Sequence, residues 1–295
     1  MSKTALLFAG QGAQVVGMGK DLAEQFSTAK AWFDKANHAL GYDLAGVCFN
    51  GPEPELTKTE NAQPGIFLVS WVAFELLKEK VPGLQFEATA GLSLGEFTAL
   101  TAAGVVTFED GLRVVRQRGR FMQEACDVTR GSMAAVIGLD ETPLRDVCAE
   151  AGVELANLNC PGQIVISGEA DKIIKACDLA KSKGAKRALP LSVAGAYHSK
   201  LMASAQPKLR EVLAQIPINI PSVPVIHNRL VEQVTSSVRW EESMRHLLAE
   251  GFTRFIELGP GSALSGFMKR IDKNVQMLNV ADAASLQATV AALGA

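Results

Sequence analysis

Cysteine is scarce. Five occur in 295 residues: Cys48, Cys126, Cys148, Cys160 and Cys177, an odd number, widely spaced and with no C-x-x-C. That excludes a disulfide framework and a zinc-ribbon pattern, and no metal site is expected. A reduced, cytoplasmic setting is the expectation. Charge of one sign is also missing. The formal net charge is −2, and no Lys/Arg run appears, so the footprint of a nucleic-acid binder is absent. No apolar run approaches a membrane span. Thr4-Ala5-Leu6-Leu7-Phe8-Ala9 is short and soon followed by Gly10-Gln11-Gly12. It reads as a first core strand rather than a signal peptide. There is no internal repeat or low-complexity linker. Histidine is rare too, with four in the chain.

What is present is a core. Hydrophobic residues make up 48% of the chain, enough for one large domain, or one with an insert. The chain is organised around Ala88-Thr89-Ala90-Gly91-Leu92-Ser93-Leu94-Gly95-Glu96-Phe97. A short apolar strand runs into a helix over 94–103 with no room for a loop. Gly91 to Gly95 fits G-x-S-x-G, a nucleophile elbow. Its glycines are needed because a Cβ on either side of the serine would strike the neighbouring strand or helix. Ser93 is then held at a helix N-terminus, where backbone N–H groups favour developing negative charge. A plain Gly-Ser turn is the bland alternative; the strand–turn–helix context favours a nucleophile.

The rest of the chain reads as alternating layers. Residues 18–40 are helical, 51–54 break the chain, and 59–80 form a helix with Pro64 placed in its first turn. On a helix over 109–126, Val114, Arg118, Phe121 and Ala125 share a stripe, while Arg113, Arg116 and Arg120 face the other way. A buried guanidinium needs an anion or hydrogen-bonded acceptors. An internal salt bridge and a bound carboxylate satisfy that equally well, and periodicity does not separate them. Strand 133–139, helix 141–151, strands 153–158 and 163–167, helix 171–183 and strand 187–193 follow. That is β-α-β-β-α-β, the ferredoxin-like order, and it reads as an insert. A helix over 201–215, a strand over 223–228, a helix over 240–250, a strand over 255–258 and a helix over 263–270 complete the reading. Gly259-Pro260-Gly261-Ser262 is either an anion site at a helix N-terminus or a tight turn, the second being favoured. Gly12 to Lys20 looks superficially like a phosphate loop, but Gly19-Lys20 is not followed by Ser or Thr.

A serine nucleophile needs a base. His38 and His246 lie on polar helical patterns, and His227 ends a strand. His198 sits in a small-residue loop at the insert's exit, where functional groups collect. It is the candidate general base. No Asp stands out to orient it, so a backbone or Gln carbonyl is the alternative.

Six stretches occur in one order: Phe8 to Gln14, Gly91 to Glu96, Arg118 to Gln123, Asn159 to Gly168, Tyr197-His198-Ser199 and Glu257 to Gly261. Together they closely resemble the malonyl-CoA:acyl-carrier-protein transacylase family, the acyltransferases of fatty-acid and polyketide synthesis, over essentially the whole chain. The resemblance implies an α/β-hydrolase-like catalytic core over 1–127 and 197–295, with a ferredoxin-like inserted subdomain over 128–196. It implies that Ser93 carries the acyl group, with His198 as base and the backbone amides of Gln11 and Leu94 as oxyanion hole. Arg118 would hold the malonyl carboxylate. Gln63 and Asn159 would line the pocket, and Gln233 would offer its backbone carbonyl to the histidine. Tyr197, bulky and next to the base, should crowd an α-methyl group. The partners implied are malonyl-CoA and the phosphopantetheine arm of acyl carrier protein. No further cofactor, nucleic acid or membrane is implied, and a monomer is expected. An acyl hydrolase and a non-catalytic carrier-binding module are the competing classes. A carboxylate clamp at Arg118 argues against the first, and the Ser93 and His198 pair against the second. The chain departs from the family at Leu92, where a histidine is usual, and in a short connection from Asn228 to Gln233.

Overall fold

The computed structural model describes residues 2–294. In chain order it contains β1 (Lys3–Phe8), α1 (Lys20–Gln25), α2 (Ser27–Leu40), α3 (Leu44–Asn50), α4 (Glu53–Thr57), α5 (Thr59–Lys80), β2 (Ala88–Gly91), α6 (Gly95–Ala102) and α7 (Phe108–Asp127). Next come β3 (Gly131–Ile137), α8 (Glu141–Ala151), β4 (Glu154–Cys160), β5 (Gln163–Glu169), α9 (Ala170–Ser182), β6 (Arg187–Pro190) and α10 (Ala205–Leu213). The last are β7 (Val225–Ile226), α11 (Trp240–Ala249), β8 (Phe252–Leu258), α12 (Ala263–Ile271), β9 (Gln276–Val280) and α13 (Ala283–Leu293). Contacts divide the chain into two units. One is Met1–Gly119, Gln215–His227 and Leu247–Ala295; the other is Arg120–Ala214 and Asn228–His246.

The first unit holds a five-stranded sheet in the order β7-β2-β1-β8-β9, every pair parallel. Parallel strands covered on both faces read as continuous apolar runs, and β1 is buried from Thr4 to Phe8. In register, Phe8 stands beside both Gly91 and Leu258. The loops after β1 and β2 therefore leave the same carboxyl edge side by side, the edge where open α/β sheets place ligands. Helix α5 is buried without a break from Asn61 to Phe74, as befits a helix apolar all round.

Several expectations shift here. Pro64 is the sixth residue of α5, one turn deeper than the first-turn placement, and the helix continues through it. The helix expected over 18–40 is two helices parted at an extended Phe26. The strand expected over 223–228 shrinks to Val225–Ile226, because Pro221 and Pro224 have no N–H to give a ladder. Gly259–Ser262 is a tight turn, as favoured, with Gly259 and Gly261 at positive φ, and it is the start of α12 behind it that holds an internal anion. The buried Glu257 carboxylate accepts from the Leu264 and Ser265 amides at 3.0 and 2.7 Å and from Ser265 Oγ at 2.6 Å. Burial nevertheless pushes that carboxyl above its ordinary range.

The second unit carries an antiparallel sheet in the order β4-β5-β3-β6. Helices α8 and α9 supply Leu144, Val147, Ile173 and Ala176 to a core shared with Ala134, Val136, Ile164 and Ile166. The connection between β4 and β5 is Pro161-Gly162 alone, shorter than the expected Asn159–Gly162, since β4 pairs through Cys160. Val238 exchanges backbone hydrogen bonds with the β4 edge, at Leu158 and Ala156, so the 228–246 segment covers that edge. The helix expected over 201–215 starts as a 3₁₀ turn at Lys200–Met202 and resumes as α10. Strand β6 stops at Pro190, short of the expected 193.

Candidate active site

The elbow is built by backbone contact. A Cβ at Gly91 would overlap the backbone of Gly95 and Glu96, and one at Gly95 would overlap the carbonyl of Phe8. Only hydrogen fits, so β2, the turn and the end of β1 close on one another. Leu92 donates its N–H to Phe8 O at 3.2 Å, and Gly95 donates to Leu92 O at 3.0 Å. Leu92 does this through its backbone, so the family's usual histidine is not needed to form the turn. Ser93 sits at φ 55°, a left-handed conformation that costs a non-glycine residue about 1–2 kcal/mol. Strain of that kind, held by its surroundings, is typical of functional turns. Leu94 follows, fully buried, as the residue that precedes α6.

Arg118 is 1% exposed, whereas Arg113 and Arg120 are exposed and lie near Asp110 and Glu124. Arg116 lies over the Tyr42 ring and donates to Leu40 O. The odd position of Arg118 on its helix is thus real. Its Nη2 donates to Ser93 Oγ at 3.1 Å and its Nη1 to Gln63 Oε1 at 2.6 Å. The guanidinium carbon lies 5.6 Å from the Phe97 ring centroid, a cation–π distance. Gln63 Nε2 donates to Gln11 Oε1, and Gln11 Nε2 to Thr59 Oγ1, both at 3.3 Å. Four of the residues singled out in the sequence (Ser93, Arg118, Gln63 and Gln11) therefore meet in one hydrogen-bonded chain. Thr59, at its end, was not singled out. No local signal marks it, since Glu60, Asn61 and Gln63 beside it in the first turns of α5 are polar too.

In the second unit, His198 is buried and stands at φ 57°. Its Nδ1 lies 2.8 Å from Gln233 O. A carbonyl only accepts, so Nδ1 carries the proton and Nε2 is left with its lone pair, the tautomer of a base. Gln233 belongs to a 3₁₀ turn at Glu232–Thr235, which Gln206 Nε2 ties to α10 through Thr235 Oγ1 at 2.7 Å. Ser199, fully buried, donates to Ala196 O at 2.6 Å and caps the turn after the histidine. Tyr197 is buried and hydrogen-bonds Cys126, whose thiol burial pushes up to about 11. Asn159 is buried, and its Oδ1 has no hydrogen-bond partner among the described residues.

Of the other histidines, His38 on α2, His227 and His246 are all exposed. Among the described residues, no group of three His, Cys, Asp or Glu could hold a metal, and no helix is long and apolar enough to cross a membrane.

The family model for the acyl transferase domain matches residues 5–287. A malonyl CoA-acyl carrier protein transacylase of Bacillus subtilis is 46% identical over 312 aligned positions, covering 99% of this chain and 98% of the relative. The crystal structure of an acyl-carrier-protein S-malonyltransferase from Burkholderia pseudomallei superposes with a TM-score of 0.94 at 42% identity, covering 98% of this chain and 99% of that one. A malonyl-transacylase solved in complex with its type II polyketide acyl carrier protein gives a TM-score of 0.95 at 38% identity, covering 99% and 100%. With the elbow, the buried arginine and the oriented histidine in place, this chain belongs to the acyl transferase domain family.

Proposed function

We infer that the chain transfers a malonyl group from malonyl-CoA to the phosphopantetheine thiol of acyl carrier protein, through an ester on Ser93. The observation that carries the reading is Arg118. A permanent cation, almost wholly buried, donates both to the elbow serine and to Gln63. A bidentate guanidinium is suited to a carboxylate one methylene away from the reacting carbonyl. In a first half-reaction His198 takes the Ser93 proton, and Oγ attacks the thioester carbonyl. The oxyanion is received by the backbone amides of Gln11 and Leu94. The C–S bond breaks, and CoA leaves as a thiol with the proton from His198. In the second half-reaction His198 deprotonates the phosphopantetheine thiol, which attacks the ester and returns Ser93 to its hydroxyl. Gln233 keeps the imidazole in the required tautomer, the part an Asp plays elsewhere.

Gln63 and Asn159 line the acyl pocket in this reading, and the partnerless Oδ1 of Asn159 suits a group that meets substrate. Tyr197 disfavours an α-methyl branch. The chemistry calls on no cofactor, and the setting is the cytoplasm. The parallel sheet with its elbow supports an α/β-hydrolase-like core over 1–127 and 197–295. The β-α-β-β-α-β order supports a ferredoxin-like insert over 128–196.

The test is transfer from malonyl-CoA to holo acyl carrier protein, followed by chromatography of the carrier. Malonylation of the holo form, with none of the apo form lacking phosphopantetheine, is the expected result. Release of free malonate at the same rate with and without carrier would mark a hydrolase instead.

A further inference from the structure

Of the two glycines on helix α7, Gly119, one residue after Arg118, has the tighter surroundings. A Cβ on Gly119 would lie 2.5 Å from Thr59 O, 2.9 Å from Glu60 Cα and 3.0 Å from Thr59 C. All three are backbone atoms at the start of α5, so no side chain could swing aside to make room. Thr59 itself is fully buried. It meets α7 through its carbonyl, and Gln11 through its hydroxyl.

The hydrogen bonds have a fixed direction. A guanidinium only donates. Arg118 therefore holds Gln63 with its oxygen facing the cation and its NH₂ facing Gln11. Gln11 must then accept with its oxygen and donate with its NH₂, which ends on Thr59 Oγ1. The chain of contacts returns to its start, because Thr59 O is the atom against which Gly119 seats. Thr59 so touches both the residue whose amide is the proposed oxyanion donor and the helix that carries the carboxylate clamp.

We propose that Thr59 and Gly119 are positioning residues for acyl selectivity. Their backbone contact sets how far Arg118 reaches towards the malonyl carboxylate, and the Thr59 hydroxyl locks the amide planes of Gln11 and Gln63 in the orientation that Arg118 needs. The inference rests on the reading of Arg118 as a carboxylate clamp. An added methyl at Gly119 pushes the two backbones apart. Displacement of a binding group by about 1 Å can cost about a hundredfold in rate. That loss falls on donors with a carboxylate, because acetyl-CoA makes no use of the clamp.

The experiment compares kcat/KM for malonyl-CoA and acetyl-CoA in wild type, Gly119→Ala, Thr59→Val, Thr59→Ser, Gly111→Ala and Arg118→Ala. In Gly119→Ala the malonyl value should fall about a hundredfold, the acetyl value by no more than about threefold. Thr59→Val, which keeps the shape and loses the acceptor, should move the ratio the same way. Thr59→Ser should restore it. Gly111→Ala is the control. It lies two turns earlier on α7, where a Cβ would meet the side chains of Thr101 and Phe67, and it should leave the ratio alone. Should Gly119→Ala not fold, the Thr59 pair carries the test. Equal losses for both donors in Gly119→Ala and Thr59→Val, or the same ratio shift in Gly111→Ala, would overturn the proposal. If Arg118→Ala shifts the ratio and the Thr59 and Gly119 variants do not, only the positioning role fails. If Arg118→Ala lowers both donors equally, the clamp fails, and the positioning role with it.

Discussion

At the scale of single residues, Arg118 and His198 carry the account. Arg118 is buried against an amide oxygen, a hydroxyl and an aromatic ring. Removing one partner of a buried charge pair costs about 3–5 kcal/mol. Arg118→Ala should therefore lower kcat/KM for malonyl-CoA by about two to four orders of magnitude, and acetyl-CoA should lose little. Parallel steady-state measurements with both donors check this. His198 is held at Nδ1 by a carbonyl, which fits it for proton transfer at Nε2. Loss of a general base costs about 10²–10⁴-fold. His198→Ala should slow formation of the acyl-enzyme by that factor in a stopped-flow assay, and a loss under about tenfold would place the base elsewhere. These two residues were legible for different reasons. The arginine broke the apolar pattern of its own helix face. The histidine was one of only four, and the one in a loop of small residues. Gln233 was legible only by resemblance, because it acts through its backbone and its side chain gives no signal. Thr59 was missed because its two contacts, with Gln11 and with the backbone of α7, lie far apart in sequence.

At the scale of elements, the elbow is the least tolerant part. Gly91 and Gly95 face backbone on the opposite side of the turn, so neither clash can be relieved by a rotamer change. Overpacking a well-filled interior costs about 1–3 kcal/mol or more. Gly95→Ala should lower the melting temperature by several degrees and abolish transfer, as thermal unfolding and the carrier assay will show. An unchanged melting temperature would mean that the turn relaxes. The long regular helices α5 and α8 were legible to the residue at both ends, because an amphipathic or wholly apolar run with clear breakers fixes them. Short elements were not. Helices α3 and α4 span a few residues each, and β9 and α13 lie beyond the last motif, where Gln276–Val280 and an alanine-rich tail offer weak periodicity. Nor was the break at Phe26 visible, since a phenylalanine inside an apolar pattern does not announce extended backbone.

At the scale of the whole molecule, burial of thiols couples stability to pH. Burial pushes Cys48 and Cys148 up to about 12 and Cys126 to about 11, from an ordinary value of 9.0. The folded chain therefore keeps protons that the unfolded chain has lost. Their contribution is complete below pH 9 and falls away as pH rises through the folded values. The melting temperature should drop between pH 9 and 11, and replacing Cys148 by Ala should flatten that slope. A slope unchanged by the substitution would assign the alkaline loss to other groups.

The most direct measurement of the central claim is the intact mass of the protein after mixing with malonyl-CoA, with peptide mapping of the product. A single malonyl adduct on Ser93 should appear, be absent in Ser93→Ala, and vanish when holo acyl carrier protein is added, with the malonyl group recovered on the carrier. An adduct retained by Ser93→Ala, or carrier malonylated with no covalent intermediate on the wild type, would contradict it.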